Sequence, residues 1–295
     1  MTVFLSELGK KLADKWLTLL VLPGLMFLGT LAAALLVGHT HWHDIGKLRS
    51  GLERAVGTAP RPAVEVGLAA VGLLLLAAAA GLLARALAAV VESVWVGQWP
   101  SVLSDASLTL SKRRHRWQSA SRHFNLEALK PATEQDEEEL HHQAAVRARI
   151  GLAEPCKGTW MADRLAAVET RVRVDHGLDL PFVWPRMWLV LPDGVRTELA
   201  QSRMAFDSAL TLAAWAICYT AVGILWWPSA VAGAVTLIAA HRRGRRSVAS
   251  LTLLTEAAVD LYAPTLAVQL GLATQMNRID RALGVQITTL CRKGS

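Results

Sequence analysis

The longest uncharged stretch of this chain spans residues 208–240, thirty-three residues without an Asp, Glu, Lys or Arg. The hydrocarbon core of a bilayer is about 30 Å thick, and a helix of about 20 residues crosses it. As one straight helix the stretch would be roughly 50 Å long, too long for a single upright span. It therefore predicts a membrane hairpin. We expect the turn at residues 226–229, where two interfacial tryptophans precede a proline: Trp226, Trp227 and Pro228.

Two further stretches are also typical of membrane spans. Residues 16–38 are uncharged for twenty-three positions and residues 66–84 for nineteen, so we predict spans at about 16–38 and 64–90. A cleaved signal peptide is the alternative for the first of them, with residues 32–34 as the cleavage site. Because the apolar region of a signal peptide covers only about 7–15 residues, a retained anchor is favoured.

Basic residues flank most of these spans on the side that we assign to the cytoplasm. They precede the first span, follow the second, and lie on both sides of the last hairpin, which places both termini inside a bacterial cytoplasmic membrane. The loop at 39–65 opposes this orientation, since it also carries four basic residues. The predicted fold is an all-α integral membrane protein with four transmembrane helices. Its parts are a first hairpin (1–98), a cytoplasmic helical insert (99–203), a second hairpin (204–246) and a helical tail (247–295).

Helical patterns fill the predicted extramembrane segments. Residues 134–150 begin acidic and end basic, in agreement with the helix dipole. Residues 159–176 carry apolar residues at three- and four-residue spacing, and Gly177 follows as a C-terminal stop. The tail continues this spacing, with Pro264 as a predicted kink and a final helix at about 275–291.

The last predicted span is unusually short. Only thirteen residues separate Pro228 from Arg242, about 20 Å of helix. We favour a helix that continues past its uncharged part while the arginines snorkel to the surface. A re-entrant half-helix covered by protein is the alternative.

The segment from Gly158 to Arg203 carries the most distinctive local pattern, GLDLPFVWPRMWLVLP at residues 177–192. It resembles a family of bacterial, actinobacterial-like multi-pass membrane proteins in which a "GLD…WPRLW.LLP" segment precedes a transmembrane hairpin. Residues 160–163 read WMAD where the family has RLGN, so the resemblance implies no role for that piece. It implies an architecture and an association with bacterial conflict systems, but no particular reaction.

Physically, residues 178–192 predict an amphipathic surface segment at the headgroup boundary, with prolines that restrict it to short turns. A groove for a protein partner is the alternative for the same residues. Asp179 and Arg186 are close enough in sequence to form an ion pair. The candidate interface or partner residues are Asp179, Trp184, Pro185, Arg186 and Trp188.

Three histidines with alternate spacing form the one metal-like cluster of the sequence: His39, His41 and His43. Such spacing suits zinc or copper, but histidines also lie commonly where a helix leaves the membrane. We favour the second interpretation, and the chain is expected to use no cofactor.

Two basic clusters beside the spans predict contacts with anionic lipid headgroups, which we favour over nucleic acid as the ligand. The residues concerned are Arg113, Arg114, Arg242, Arg243, Arg245 and Arg246.

The sequence contains no Walker loop, no GxSxG elbow and no HExxH motif, and no set of catalytic residues has local support. It therefore predicts a non-enzymatic membrane anchor or scaffold that binds a cytoplasmic partner and acts as an oligomer. A pore-forming effector of a bacterial defence system is the main alternative. A small channel or transporter is the third.

Overall fold

A computed structural model describes residues 21–39, 62–97, 108–128, 134–275 and 278–292, together with residues 46, 49–51 and 53. Every regular element in these ranges is a helix, so the described part of the chain is all-α. The helices are α1 (Leu22–Val37), α2 (Ala63–Val96), α3 (Leu108–Glu127), α4 (Glu134–Ile150), α5 (Trp160–His176), α6 (Leu180–Val190), α7 (Asp193–Val222), α8 (Trp227–Gln269) and α9 (Arg281–Arg292).

Three of these helices are long and apolar enough to cross a membrane: α2, α7 and α8. Helix α1 is apolar as well, but with 16 residues it is shorter than these three. The predicted first span begins at residue 16, and its first five residues lie outside the described ranges. The chain is therefore compatible with a membrane protein, and the fourth crossing stays a prediction.

The connection between α7 and α8 lies earlier than predicted. Helix α7 ends at Val222 and α8 begins at Trp227, so the turn comprises residues 223–226. Pro228 lies in the first turn of α8, where proline is tolerated because its missing N–H has no partner to lose. At Gly223 an added Cβ would lie 2.3 Å from the Cβ of Ala230. The turn depends on this close approach, which the prediction at 226–229 did not include.

The chain divides into two compact units, each built from two separate segments. The first unit combines residues 1–91 with 208–242, and the second combines 92–207 with 243–295. Helices α2, α7 and α8 each contribute residues to both units.

Small residues bring helices together in the first unit. An added Cβ at Gly24 of α1 would lie 2.1 Å from the carbonyl oxygen of Ala77 in α2, so the two backbones are in contact. Phe27 packs against Trp215 and Tyr219, with ring centroids 5.7 Å apart in both pairs.

The core of the second unit is formed by α5, α6, the C-terminal part of α8 and α9. Helix α6 is a correction to the sequence analysis, because it is one 11-residue helix that contains Pro185, rather than a set of short turns. One side of α6 is buried in the core, and Leu191, which follows it, is only 2% exposed. Residues 178–192 are therefore partly core, and burial compensates for the hydrogen bond that Pro185 cannot donate.

Local signals placed several helices correctly. Helix α4 has the predicted bounds. At the start of α5 the Thr159 hydroxyl accepts a hydrogen bond from the Ala162 amide, and at its end Gly177 adopts a left-handed conformation, with φ of 69°. Helix α8 continues without interruption through the arginine cluster and through Pro264. The final helix begins at Arg281, six residues later than predicted.

Candidate functional site

An apolar groove lies between α5, α6 and α8 in the second unit, with a cavity of about 350 Å³. The helical spacing of α5 brings Leu165 and Val168 to this groove, and α8 contributes Leu251 from the opposite wall. Trp184 of α6 lines the groove and packs against Trp188, with ring centroids 6.3 Å apart. The other lining residues are Glu169, Leu180, Pro181, Pro185, Thr252 and Thr255. Two of the predicted interface residues, Trp184 and Pro185, are therefore groove residues.

Asp179 fixes the start of α6 to α9. Its carboxylate accepts a hydrogen bond from Arg292 at 2.6 Å and pairs more weakly with Arg173 at 3.4 Å, and its backbone N–H donates to the Thr288 hydroxyl. The predicted pair with Arg186 is wrong, because that guanidinium donates to the carbonyl oxygen of Phe182, on its own helix, at 2.8 Å. Asp179 thus positions one wall of the groove.

Asp163 fixes α5 to α3 and to the segment before α5. The side chain is only 5% exposed and forms an ion pair of 2.6 Å with Arg113. Its other oxygen accepts hydrogen bonds from the amides of Cys156 and Lys157, at 2.8 and 2.6 Å. Asp163 belongs to the WMAD piece that departs from the resembled family, and here it has a structural role.

Arg113 is largely buried in the second unit, whereas Arg114 is exposed. The charge of Arg113 is neutralised by Asp163. The Arg114 guanidinium donates to the carbonyl oxygen of Pro155 and lies 3.6 Å from the Glu154 carboxylate. The position of Arg113 therefore disagrees with a lipid contact, whereas a lipid contact of Arg114, whose side chain is 48% exposed, stays a prediction.

The arginines of α8 remain candidates for that role. Arg245 stacks on the ring of Trp160, 4.3 Å from the centroid, and Arg164 lies 5.6 Å from the same centroid. The pKa of Arg164 is lowered by desolvation. The other three arginines of the cluster, Arg242, Arg243 and Arg246, are exposed.

The predicted metal cluster is described only in part. His39 contacts the carbonyl oxygen of Ile224 through its ring Nε2, while His41 and His43 lie outside the described residues. Within the described ranges no group of His, Cys, Asp or Glu has a metal-binding arrangement. Metal binding at 39–43 therefore stays a prediction.

The pKa of the Cys156 thiol depends on the charge of Asp163. Burial raises the pKa of this thiol, and the carboxylate of Asp163 raises it further. At neutral pH the thiolate fraction is therefore low, although the residue is exposed. We expect Asp163→Asn to lower the pKa of Cys156 and to speed its alkylation by iodoacetamide severalfold at pH 7.5. The rate–pH profile of the Cys218→Ser, Cys291→Ser protein measures this, and an unchanged profile would contradict the electrostatic coupling.

The groove was not apparent in the sequence, because its two walls come from distant segments. The spacing of Leu165, Val168 and Val172 identified an apolar face of α5 but not what lies opposite it. Comparisons of the chain with protein-family models, curated proteins and solved structures found no match.

Proposed function

We propose that this protein is a non-enzymatic membrane anchor that docks a cytoplasmic protein partner in the apolar groove of its second unit. The groove is the observation that carries the proposal. In this proposal the protein lies in a bacterial cytoplasmic membrane with both termini inside, acts as an oligomer, and belongs to the multi-pass family that residues 177–192 resemble.

Membrane residence is supported by α2, α7 and α8, because each contains an apolar stretch long enough to cross a membrane. The surfaces of these helices also support membrane residence, because large apolar side chains such as Leu75, Leu83 and Val235 are 63%, 64% and 63% exposed. Lipid is the solvent in which such exposure is stable. The exposed arginines of α8 begin at Arg242, two residues after the uncharged stretch ends, and suit anionic headgroups at the membrane surface.

The chemistry of the groove selects the partner. Its walls are apolar, and at its edge Glu169 is exposed and has no partner among the described residues. An amphipathic helix meets both requirements if its apolar side fills the groove and a Lys or Arg beside that side reaches Glu169. Trp184 provides the large aromatic surface that dominates many protein interfaces. We therefore favour a basic amphipathic helix of another protein as the occupant.

Site-specific photo-crosslinking in intact cells tests the proposal. A benzophenone amino acid replaces Thr255, which lines the groove, or Leu261, which is exposed on the same helix but does not line it. We expect position 255 to give an adduct with a cytoplasmic protein that position 261 does not give. Glu169→Lys should remove this adduct by charge repulsion.

Glu198→Lys is the matched control, because Glu198 is exposed in the same unit and has no partner among the described residues. It makes the same change of charge away from the groove and should leave the adduct intact. An adduct of this chain with a second copy of itself would show instead that the groove is an oligomer interface. Equal adducts at positions 255 and 261 would also contradict the docking proposal.

The pore-forming alternative makes a different prediction in the same cells. A pore would depolarise the membrane when the protein is expressed with its trigger. In that case Glu169→Lys and Glu198→Lys should give the same crosslinking at position 255. A membrane potential that stays intact while the adduct forms would support the anchor.

A further inference from the structure

A second cavity of the second unit, of about 550 Å³, is lined mainly by charged side chains. It lies between the C-terminal half of α5, the C-terminal part of α8 and the segment before α9. Its lining residues are Arg171, Asp175, His176, Glu256, Asp260, Ala263, Pro264, Arg278 and Ile279. The groove discussed above shares none of these residues.

Two of the acidic groups already have partners. Glu256 accepts a hydrogen bond from Arg171 at 2.8 Å, and Asp260 lies 2.8 Å from Nε2 of His176. Of the two neutral tautomers of His176, only the one that carries its proton on Nε2 donates to Asp260. The ring nitrogen Nδ1 is then an acceptor.

That acceptor is unsatisfied. The His176 side chain is only 10% exposed, and its Nδ1 is buried without a hydrogen-bond partner among the described residues. A buried acceptor without a donor is destabilising. The ring lines the cavity, but Nδ1 itself is inaccessible to solvent, so the proposal below does not rest on this atom.

Two lining side chains of opposite charge can pair with a ligand. Arg278 and Asp175 are both exposed, and neither has a partner among the described residues. Across the whole lining, two guanidinium groups face three carboxylates and a histidine. A simple anion would be repelled by Asp175, and a simple cation by Arg278. A divalent metal is not favoured either, because no described group of His, Cys, Asp or Glu has a metal-binding arrangement.

We propose that the charged cavity binds a small zwitterion, a molecule with an ammonium group and a carboxylate or phosphate. The anionic group pairs with Arg278, and the ammonium group pairs with Asp175. A cavity of this volume accepts molecules of amino-acid size and larger. The site is separate from the docking groove, and its test does not depend on a protein partner.

Isothermal titration of the full chain, purified and delipidated in a maltoside detergent, tests the proposal. The probes are glycine, 4-aminobutyrate and 6-aminohexanoate, three zwitterions whose charges lie increasingly far apart, with butyrate and butylamine as single-charge controls. We expect at least one zwitterion to bind about tenfold more tightly than either control.

Substitutions of the two unpaired groups make the test specific. Arg278→Gln and Asp175→Asn should each weaken the preferred zwitterion about tenfold. Arg122→Gln and Glu198→Gln make the same chemical changes at exposed positions outside the cavity and should leave binding unchanged.

A phospholipid headgroup such as phosphatidylethanolamine carries the same pair of charges. The titration is therefore repeated with this lipid added, and loss of probe binding by competition would identify the headgroup as the natural source. Without competition, a soluble zwitterion is the source. The proposal is overturned if no zwitterion binds more tightly than butyrate and butylamine, or if the cavity variants bind as the control variants do.

Discussion

Replacing Asp163 by alanine is expected to lower the free energy of unfolding of the second unit by about 3–5 kcal/mol. The substitution removes the acceptor of two backbone amides, those of Cys156 and Lys157, and leaves the charge of Arg113 unpaired. The Arg113 side chain is only 19% exposed, so hydration of its guanidinium replaces little of the lost interaction. Denaturant unfolding of the full chain in micelles, followed by tryptophan fluorescence, measures the change.

A double-mutant cycle separates the ion pair from the amide contacts. Arg113→Met removes the charge but keeps an apolar stem, and the double variant with Asp163→Ala has no unpaired charge. We expect the double variant to be more stable than Asp163→Ala alone, because it lacks the uncompensated guanidinium. If the two losses simply add, Asp163 acts through the amides and not through Arg113.

Helices whose signals are local were predictable from the sequence. The bounds of α5 follow from Thr159 as N-cap, an apolar stripe along one side and Gly177 as C-cap, all within eighteen residues or so of each other. Helix α6 was misjudged because the rule against internal proline is also local. The burial of Val183 and Met187, each fully inaccessible, comes from the rest of the fold and outweighs that rule.

The turn at 223–226, between the apolar helices α7 and α8, shows the same limit. Uncharged length predicted that the chain turns, and proline with two tryptophans suggested where. What places the turn is the contact of Gly223 with Ala230, together with the Ser229 hydroxyl that donates to the Tyr219 carbonyl oxygen at 2.7 Å. Such contacts depend on how two helices meet, and one sequence does not contain that information.

The candidate sites were less predictable than the helices, because each of them combines distant segments. Leu165 and Leu251 form opposite walls of the groove, and His176 meets Asp260 across the charged cavity. Residues that far apart show no shared periodicity. Asp163 shows the same limit, because the sequence assigned no role to the WMAD piece and the partners of Asp163 lie in other segments.

Replacing Gly284 by alanine is expected to detach α9 and to destabilise the second unit by about 3 kcal/mol, near the upper end for overpacking. An added Cβ would lie 1.7 Å from the carbonyl oxygen of His176, so α9 or the end of α5 must move to accommodate it. Because α9 also carries Arg292, its movement would break the pair with Asp179 and release the start of α6 from α9.

Cys291 reports the loss of this contact, because its side chain is buried in α9 and only 5% of the residue is exposed. In a Cys156→Ser, Cys218→Ser background, we expect maleimide labelling of Cys291 to be slow in the parent and fast after Gly284→Ala. Gly194→Ala is the matched control, because an added Cβ at that helical position meets nothing within 4 Å. Labelling that stays slow in both variants would show that α9 shifts along α5 without leaving it, and the close approach at Gly284 would then stabilise the unit far less than its distance implies.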